Sequence, residues 1–164
     1  MKITALEEYG LRCLLRVAEH DEDEPLSARH IAEQEGLSLP YTQKLLRHLS
    51  DAEMVAAKRG PNGGYYLARP AERISVGEVL RELGGLLEME EFCETHTGKK
   101  DVCAHACSCS IRPVWSHISE FLVQTLEAIP LSVLADDEGE VRKYLSELGI
   151  GADSREERQA EPVS

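Results

Sequence analysis

The chain has 164 residues, an ordinary apolar content of 42%, only 5% aromatic residues and a formal net charge of −12. That length suits one domain, or a small domain with an appendage, and no apolar run approaches the roughly twenty residues needed to cross a bilayer. The opening MKITALEEYG lacks a basic stretch followed by an apolar one, so no secretory signal is expected and the expected compartment is the cytoplasm. Five cysteines, an odd number in such a chain, argue for thiol or metal chemistry over a disulfide framework.

Thr4 to Glu7 (TALE) has the spacing of a capping box and marks a helix start. Leu11, Leu14, Leu15 and Ala18 follow at the i, i+3, i+4, i+7 spacing of a buried helical face. Cys13 lies in this helix and reads as a small buried apolar residue. The run His20-Asp-Glu-Asp-Glu-Pro25 breaks the helix. Ser27 then opens a short helix, ARHIAEQE, that stops at Gly36, a good left-handed terminator. Ser38 is expected to cap a third helix, LPYTQKLLRHLSDAEM, with Leu45, Leu46 and Leu49 facing inward and Tyr41, Thr42, Gln43, Lys44 and Arg47 facing outward. Two short helices joined by a tight glycine-containing turn form a helix-turn-helix signature.

The stretch VAAKRGPNGGYYLARP predicts two short strands, Val55 to Lys58 and Tyr65 to Ala68, around a Gly-Pro-Asn-Gly-Gly turn. A hairpin directly after a helix-turn-helix is a wing. Lys58, Arg59 and Arg69 give it charge, and Gly60, Gly63 and Gly64 allow its backbone to approach a phosphate or groove closely. The overall negative charge opposes nucleic-acid binding, but the charge is unevenly spread. Between Leu37 and Arg69 five basic residues face two acidic ones, whereas from Asp136 to Ser164 nine acidic residues face four basic ones. Phosphate attraction depends on the local face.

Ser75 to Glu78 (SVGE) is a second capping box, opening a helix that ends near Gly84-Gly85. Beyond it, four of the five cysteines, Cys93, Cys103, Cys107 and Cys109, fall within seventeen residues and are interleaved with His96 and His105. Packing needs no such clustering, and soft thiolates in a loop suit zinc or an iron–sulfur cluster. Arg112 to Ile129 then reads as one long helix with an apolar stripe of Val114, Ile118, Phe121, Leu122, Thr125 and Ile129. In a small winged-helix protein such a stripe is economically buried against a symmetry mate. A short helix is expected from Gly139 to Leu148, and from Gly149 the chain is polar and aperiodic, the composition of a disordered tail.

The order of these elements, the wing RGPNGGYYLARP, the segment SVGEVL and the cysteine loop running into CSIRPVW together resemble the iron–sulfur winged-helix transcriptional repressors typified by IscR, NsrR and RirA. The resemblance covers about residues 1–135. It implies a homodimeric DNA-binding regulator that carries a 2Fe-2S or 4Fe-4S cluster. Cys109, six residues before Trp115, matches the family's third cluster cysteine, and Cys103 and Cys93 match the second and first. The insertion HTGKKD lengthens the loop between Cys93 and Cys103, and Cys107 is a thiol outside the pattern. Where some members place a histidine ligand after the last cysteine, this chain has Arg112, which cannot deprotonate to ligate. Where others use an acidic residue on the first helix, it has Glu8. Glu8, Cys107, His96 and His105 all stay open as the fourth ligand. The resemblance also implies that Arg59 and Gly60 lead the wing into a minor groove. Where relatives carry a discriminating glutamate on the recognition helix stands Gln43, which can pair bidentately with adenine.

The expected fold is mainly α with a small β-hairpin wing, a winged helix-turn-helix plus a long dimerisation helix. Residues 1–85 form the DNA-binding domain, 86–110 the cluster-binding loop, 111–135 the dimerisation helix, and 136–164 a short helix and acidic tail. The expected function is a dimeric regulator, not an enzyme, whose affinity for a palindromic operator is controlled by the cluster, with no membrane partner. The alternative is a zinc-bound or thiol-redox winged-helix regulator. No nucleophile–base constellation or phosphate-binding glycine loop is apparent in the sequence.

Overall fold

The computed structural model describes residues 3–20, 24–60, 63–84, 97, 99, 102, 103, 105 and 108–149. Helix α1 spans Ala5–Ala18 and begins as its sequence predicts. Thr4 Oγ1 accepts from Glu7 N at 3.3 Å while the Glu7 carboxylate accepts from Thr4 N at 2.6 Å. Its buried face is rotated from the expected one: Gly10, Cys13, Leu14 and Val17 are buried, with Leu11, Leu15 and Ala18 on the flank. The cause lies in Gly10. A Cβ there would lie 2.5 Å from Leu83 Cδ1, so the absence of a side chain lets another helix seat on that face.

Helix α2 (Ala28–Glu35) is capped by Ser27, whose Oγ accepts from His30 N at 3.2 Å, and ends at Gly36 with φ +66°, a conformation glycine adopts without strain. Helix α3 (Leu39–Asp51) follows at once. Its Leu45, Leu46 and Leu49 are fully buried, each contributing roughly 1.5–3 kcal/mol of transfer free energy. Strands β1 (Val55–Lys58) and β2 (Gly64–Leu67) pair antiparallel with Val55 opposite Leu67 and Lys58 opposite Gly64. The second strand starts and ends one residue earlier than predicted. Leu26 extends the hairpin on its other side through two 2.9 Å bonds with Tyr65.

After a 3₁₀ turn at Ala71–Arg73, helix α4 runs Val76–Gly84. Ser75 Oγ accepts from Glu78 N at 3.1 Å, but Glu78 does not return the bond as a capping box requires; its carboxylate takes Arg69 Nη2 instead. Helix α5 covers Arg112–Glu127. It stops two residues short of the expected end because the chain turns inward there, burying Ile129 and Leu131. A four-residue helix, α6 (Leu131–Leu134), is absent from the sequence reading, and α7 (Glu138–Glu147) follows it, capped by Asp137. The core joins α1, α2, α3, α4, β1 and Leu131 in one cluster. The segment after Gly149, expected as a tail, lies outside the described residues.

Candidate nucleic-acid interface and metal centre

The first helix of the helix-turn-helix, α2, is fixed to α1 by a buried acid. Glu35, whose side chain is 3% exposed, accepts from Arg12 Nε at 2.6 Å and from Arg16 Nε. Burial alone would push its carboxyl up, yet hydrogen bonds from Arg16 and Arg12, and their charges, outweigh burial and hold it below its ordinary value. The same bond to Glu35 is the main reason Arg16 is held above its ordinary value. Nearby, the Cys13 thiol is pushed up to about 12, chiefly by burial, with Glu35 adding to the effect and Arg12 opposing it. Cys13 is therefore a packing residue with little thiolate, as the sequence suggests.

On α3, Ser38, Gln43, Lys44 and Arg47 are exposed as expected, although the Ser38 side chain makes no capping bond. Thr42 is a correction. It is fully buried, and its hydroxyl donates to Ser38 O at 3.2 Å. It shares the i, i+3, i+4, i+7 face with Leu45, Leu46 and Leu49, so it faces the core and not a groove. Tyr41 is half-buried. Its ring meets Tyr9 edge-on at 6.2 Å, its hydroxyl donates to Ala5 O at 3.4 Å, and Arg12 lies 5.5 Å over the Tyr9 ring. These contacts seat the recognition helix on the start of α1.

In the wing, Lys58, Arg59 and Gly60 are all exposed. Gly60 has φ +128°, and Gly63 N donates back to Gly60 O at 2.9 Å to close the turn. Pro61 and Asn62 of that turn lie outside the described residues. Gly64 has no room for a side chain, since a Cβ would lie 2.6 Å from Leu26 O. Arg69 is a second correction. Its guanidinium is engaged by Glu78 and by Arg73 O at 3.1 Å, so it braces the base of the wing. Within the described residues, no salt bridge engages the exposed cations Lys44, Arg47, Lys58 and Arg59 of α3 and the wing, on a chain that is acidic overall.

Of the sulfur-rich segment, Cys103 and Cys109 are free, half-buried thiols and His105 is exposed. Cys93, Cys107 and His96 lie outside the described residues. Glu8 is exposed on the first turn of α1. Its neighbour Glu7 packs on Gly84, the last residue of α4, where a Cβ would lie 2.8 Å from Glu7 Cδ. The root of the cysteine-bearing segment is thus held against the turn that carries Glu8. Among the described residues no three His, Cys, Asp or Glu side chains converge. Just beyond Cys109, α5 exposes Val114, Trp115, Ile118 and Phe121 by 55%, 43%, 41% and 58%.

The family model described as Rrf2, Iron-dependent Transcriptional regulator, matches residues 3–137. Protein rrf2 of Nitratidesulfovibrio vulgaris is 34% identical over 137 residues, which cover 84% of this chain and 89% of that protein. Among solved structures, T. potens IscR matches with a TM-score of 0.63 at 28% identity over 93% of both chains. The oxidized form of Staphylococcus aureus CymR matches with a TM-score of 0.65 at 27% identity, over 84% of this chain and 98% of that one.

Proposed function

The chain belongs to the Rrf2 family of transcriptional regulators, and we propose that an iron–sulfur cluster sets its affinity for DNA. The ligands would be Cys93, Cys103 and Cys109, with Glu8 or Cys107 completing the set. The observation that carries this reading is the pair of free, half-buried thiols Cys103 and Cys109, the second standing three residues before a long helix with an exposed apolar face. The family's description as iron-dependent supports it, and thiolates are the donors that iron–sulfur centres take. When bound, the cluster would supply iron–thiolate bonds that tie Cys93, Cys103 and Cys109 together just ahead of α5.

The remaining roles belong to the chain's own side chains. Gln43, Lys44 and Arg47 enter the major groove from the outer face of α3, with Ser38 at the helix start near the backbone. Lys58 and Arg59 neutralise phosphate, and the bare Gly60 lets the wing approach the minor groove. Tyr41 orients the recognition helix through its contacts with α1. The exposed face of Val114, Ile118 and Phe121 meets the same face of a second copy, so the DNA is a two-fold palindrome.

A second reading keeps the DNA-binding module and gives the thiols to zinc or to a redox switch. The oxidized form among the similar solved regulators favours it. Anaerobic purification with visible absorption and iron and sulfide counts separates the two. The cluster reading expects a brown protein whose colour fades in Glu8→Ala or in Cys107→Ser but not in both. A colourless protein with stoichiometric zinc after reconstitution leaves only the second.

A further inference from the structure

Helix α5 leaves the cysteine segment exposed along much of one face and then enters the core of its own subunit at one place. There Val76 N donates to Ile129 O at 2.8 Å and Leu131 N donates to Ile74 O at 2.7 Å, an antiparallel bridge between two segments far apart in sequence. Ile74 and Leu131 are fully buried beneath it. Beside it, α4 and α5 touch without a spacer. A Cβ on Gly77 would lie 2.8 Å from both the backbone N and the Cγ of Glu127. Arg81, one turn along α4, pairs with Glu127.

The same turn of α4 holds the wing. Glu78, next to Gly77, takes Arg69, which lies just past the end of β2, and Arg69 also donates to Arg73 O at 3.1 Å. Ala68 N donates to Met54 O at 3.0 Å, closing the base of the hairpin. The end of the long helix is fastened to this turn by close-packed backbone, which transmits displacement because it cannot compress, and the base of the wing is fastened to the same turn by the partly exposed Arg69–Glu78 ion pair.

We propose that the junction of Ile74–Glu78 with Glu127–Leu131 couples α5 to the wing. A shift of α5 along or about its axis displaces this turn of α4 and, through Glu78 and Arg69, re-aims Arg59. This deepens the control proposed above and rests on it for the source of the shift, since Cys109 lies just ahead of α5. Coupling of this kind is read as an interaction free energy between the two sites.

The test is a double-mutant cycle on metal-free protein, so that cluster content plays no part. The probe is the tightest-binding duplex that the wild-type chain selects from a random pool. Arg59→Ala weakens binding roughly tenfold, the size of a typical direct contact. Gly77→Ala, which forces α5 off α4, is expected to weaken it by a similar factor alone and by nothing further in the Arg59→Ala background. In a Lys44→Ala background its effect should persist in full. Additive losses with Arg59→Ala, or undiminished binding by folded Gly77→Ala, overturn the coupling. If Gly77→Ala does not fold, Glu127→Ala removes the ion pair and the Cγ contact at the same junction and is read in the same cycle. A cycle that is non-additive in a protein whose affinity ignores cluster loading supports the junction and removes the cluster reading alone.

Discussion

Arg59 is the side chain on which the wing's role turns. It is exposed, and no salt bridge within the described residues engages it. Its replacement by alanine is expected to cost about 1–3 kcal/mol of DNA binding and to flatten the dependence of log K on log salt by about one unit, as for the loss of one phosphate or groove contact. Titrations at several salt concentrations measure both, and an unchanged slope would take the wing out of the interface. Glu53 carries a different lesson. It has φ +54° and sits where α3 ends, with Met54 N on Leu49 O at 2.9 Å and Glu53 N on Ser50 O at 3.1 Å. This is a Schellman ending with a non-glycine residue in the left-handed position. Glu53→Gly should therefore raise stability by about 0.5–1 kcal/mol, read as a higher midpoint in urea with DNA affinity unchanged. At this scale the sequence was legible where a residue acts on its own backbone, as at Thr4, Ser27 and Gly36. It was not legible where a partner elsewhere in the chain decides the role. Arg69 counts as a free cation until Glu78 is seen beside it, and Thr42 counts as a groove reader until the helix is rotated onto its leucines.

At the scale of elements, the attachment of α2 to α1 depends on one carboxylate. Glu35 is held below its ordinary value of 4.5, so its contribution is fully present above that value and is lost as pH falls through the lowered one. Glu35→Gln should cost about 1–3 kcal/mol at neutral pH, discounted toward the lower end because both arginines are partly exposed. The gap from wild type should narrow as acid is added. Urea unfolding at neutral and acid pH measures it, and a gap independent of pH would assign the loss to packing. Periodicity gave α2 and the hairpin nearly to the residue, and α3 from its start. The pattern carried α3 on to Met54, three residues past Asp51, because nothing in the sequence marks the left-handed Glu53 that ends it. It missed α6, since LSVL is too short to show a period. It also missed the bridge between Ile74–Val76 and Ile129–Leu131, because nothing local marks a two-bond contact between distant segments.

Across the whole molecule, the net charge of −12 and the exposed stripe on α5 are the features that a lone subunit leaves unexplained. Lys44, Arg47, Lys58 and Arg59 are exposed and engaged by no salt bridge within the described residues, and the proposed second copy would cover the stripe. Phe121→Glu is expected to leave the fold intact, because Phe121 is 58% exposed, while shifting sedimentation equilibrium toward monomer and weakening binding to a palindromic duplex far more than to a half-site. A dimer of unchanged strength would move the self-association surface elsewhere. The long helix was legible from the pattern alone, although Trp115 joins Val114, Ile118 and Phe121 on its exposed side and Ile129 turns into the core of its own subunit; the thiols ahead of it are clustered in the sequence. The chemistry those thiols perform was not legible, because zinc, iron and disulfide exchange draw on the same donor atoms. The most direct discriminating measurement is the affinity of the anaerobically prepared protein for its selected duplex, taken before and after the bound iron and sulfide are removed by chelation. Control by the cluster predicts a change of about 5–150-fold, abolished in Cys103→Ser and Cys109→Ser. Equal affinities for the two forms, with the iron and sulfide counts confirming loading and removal, would contradict it.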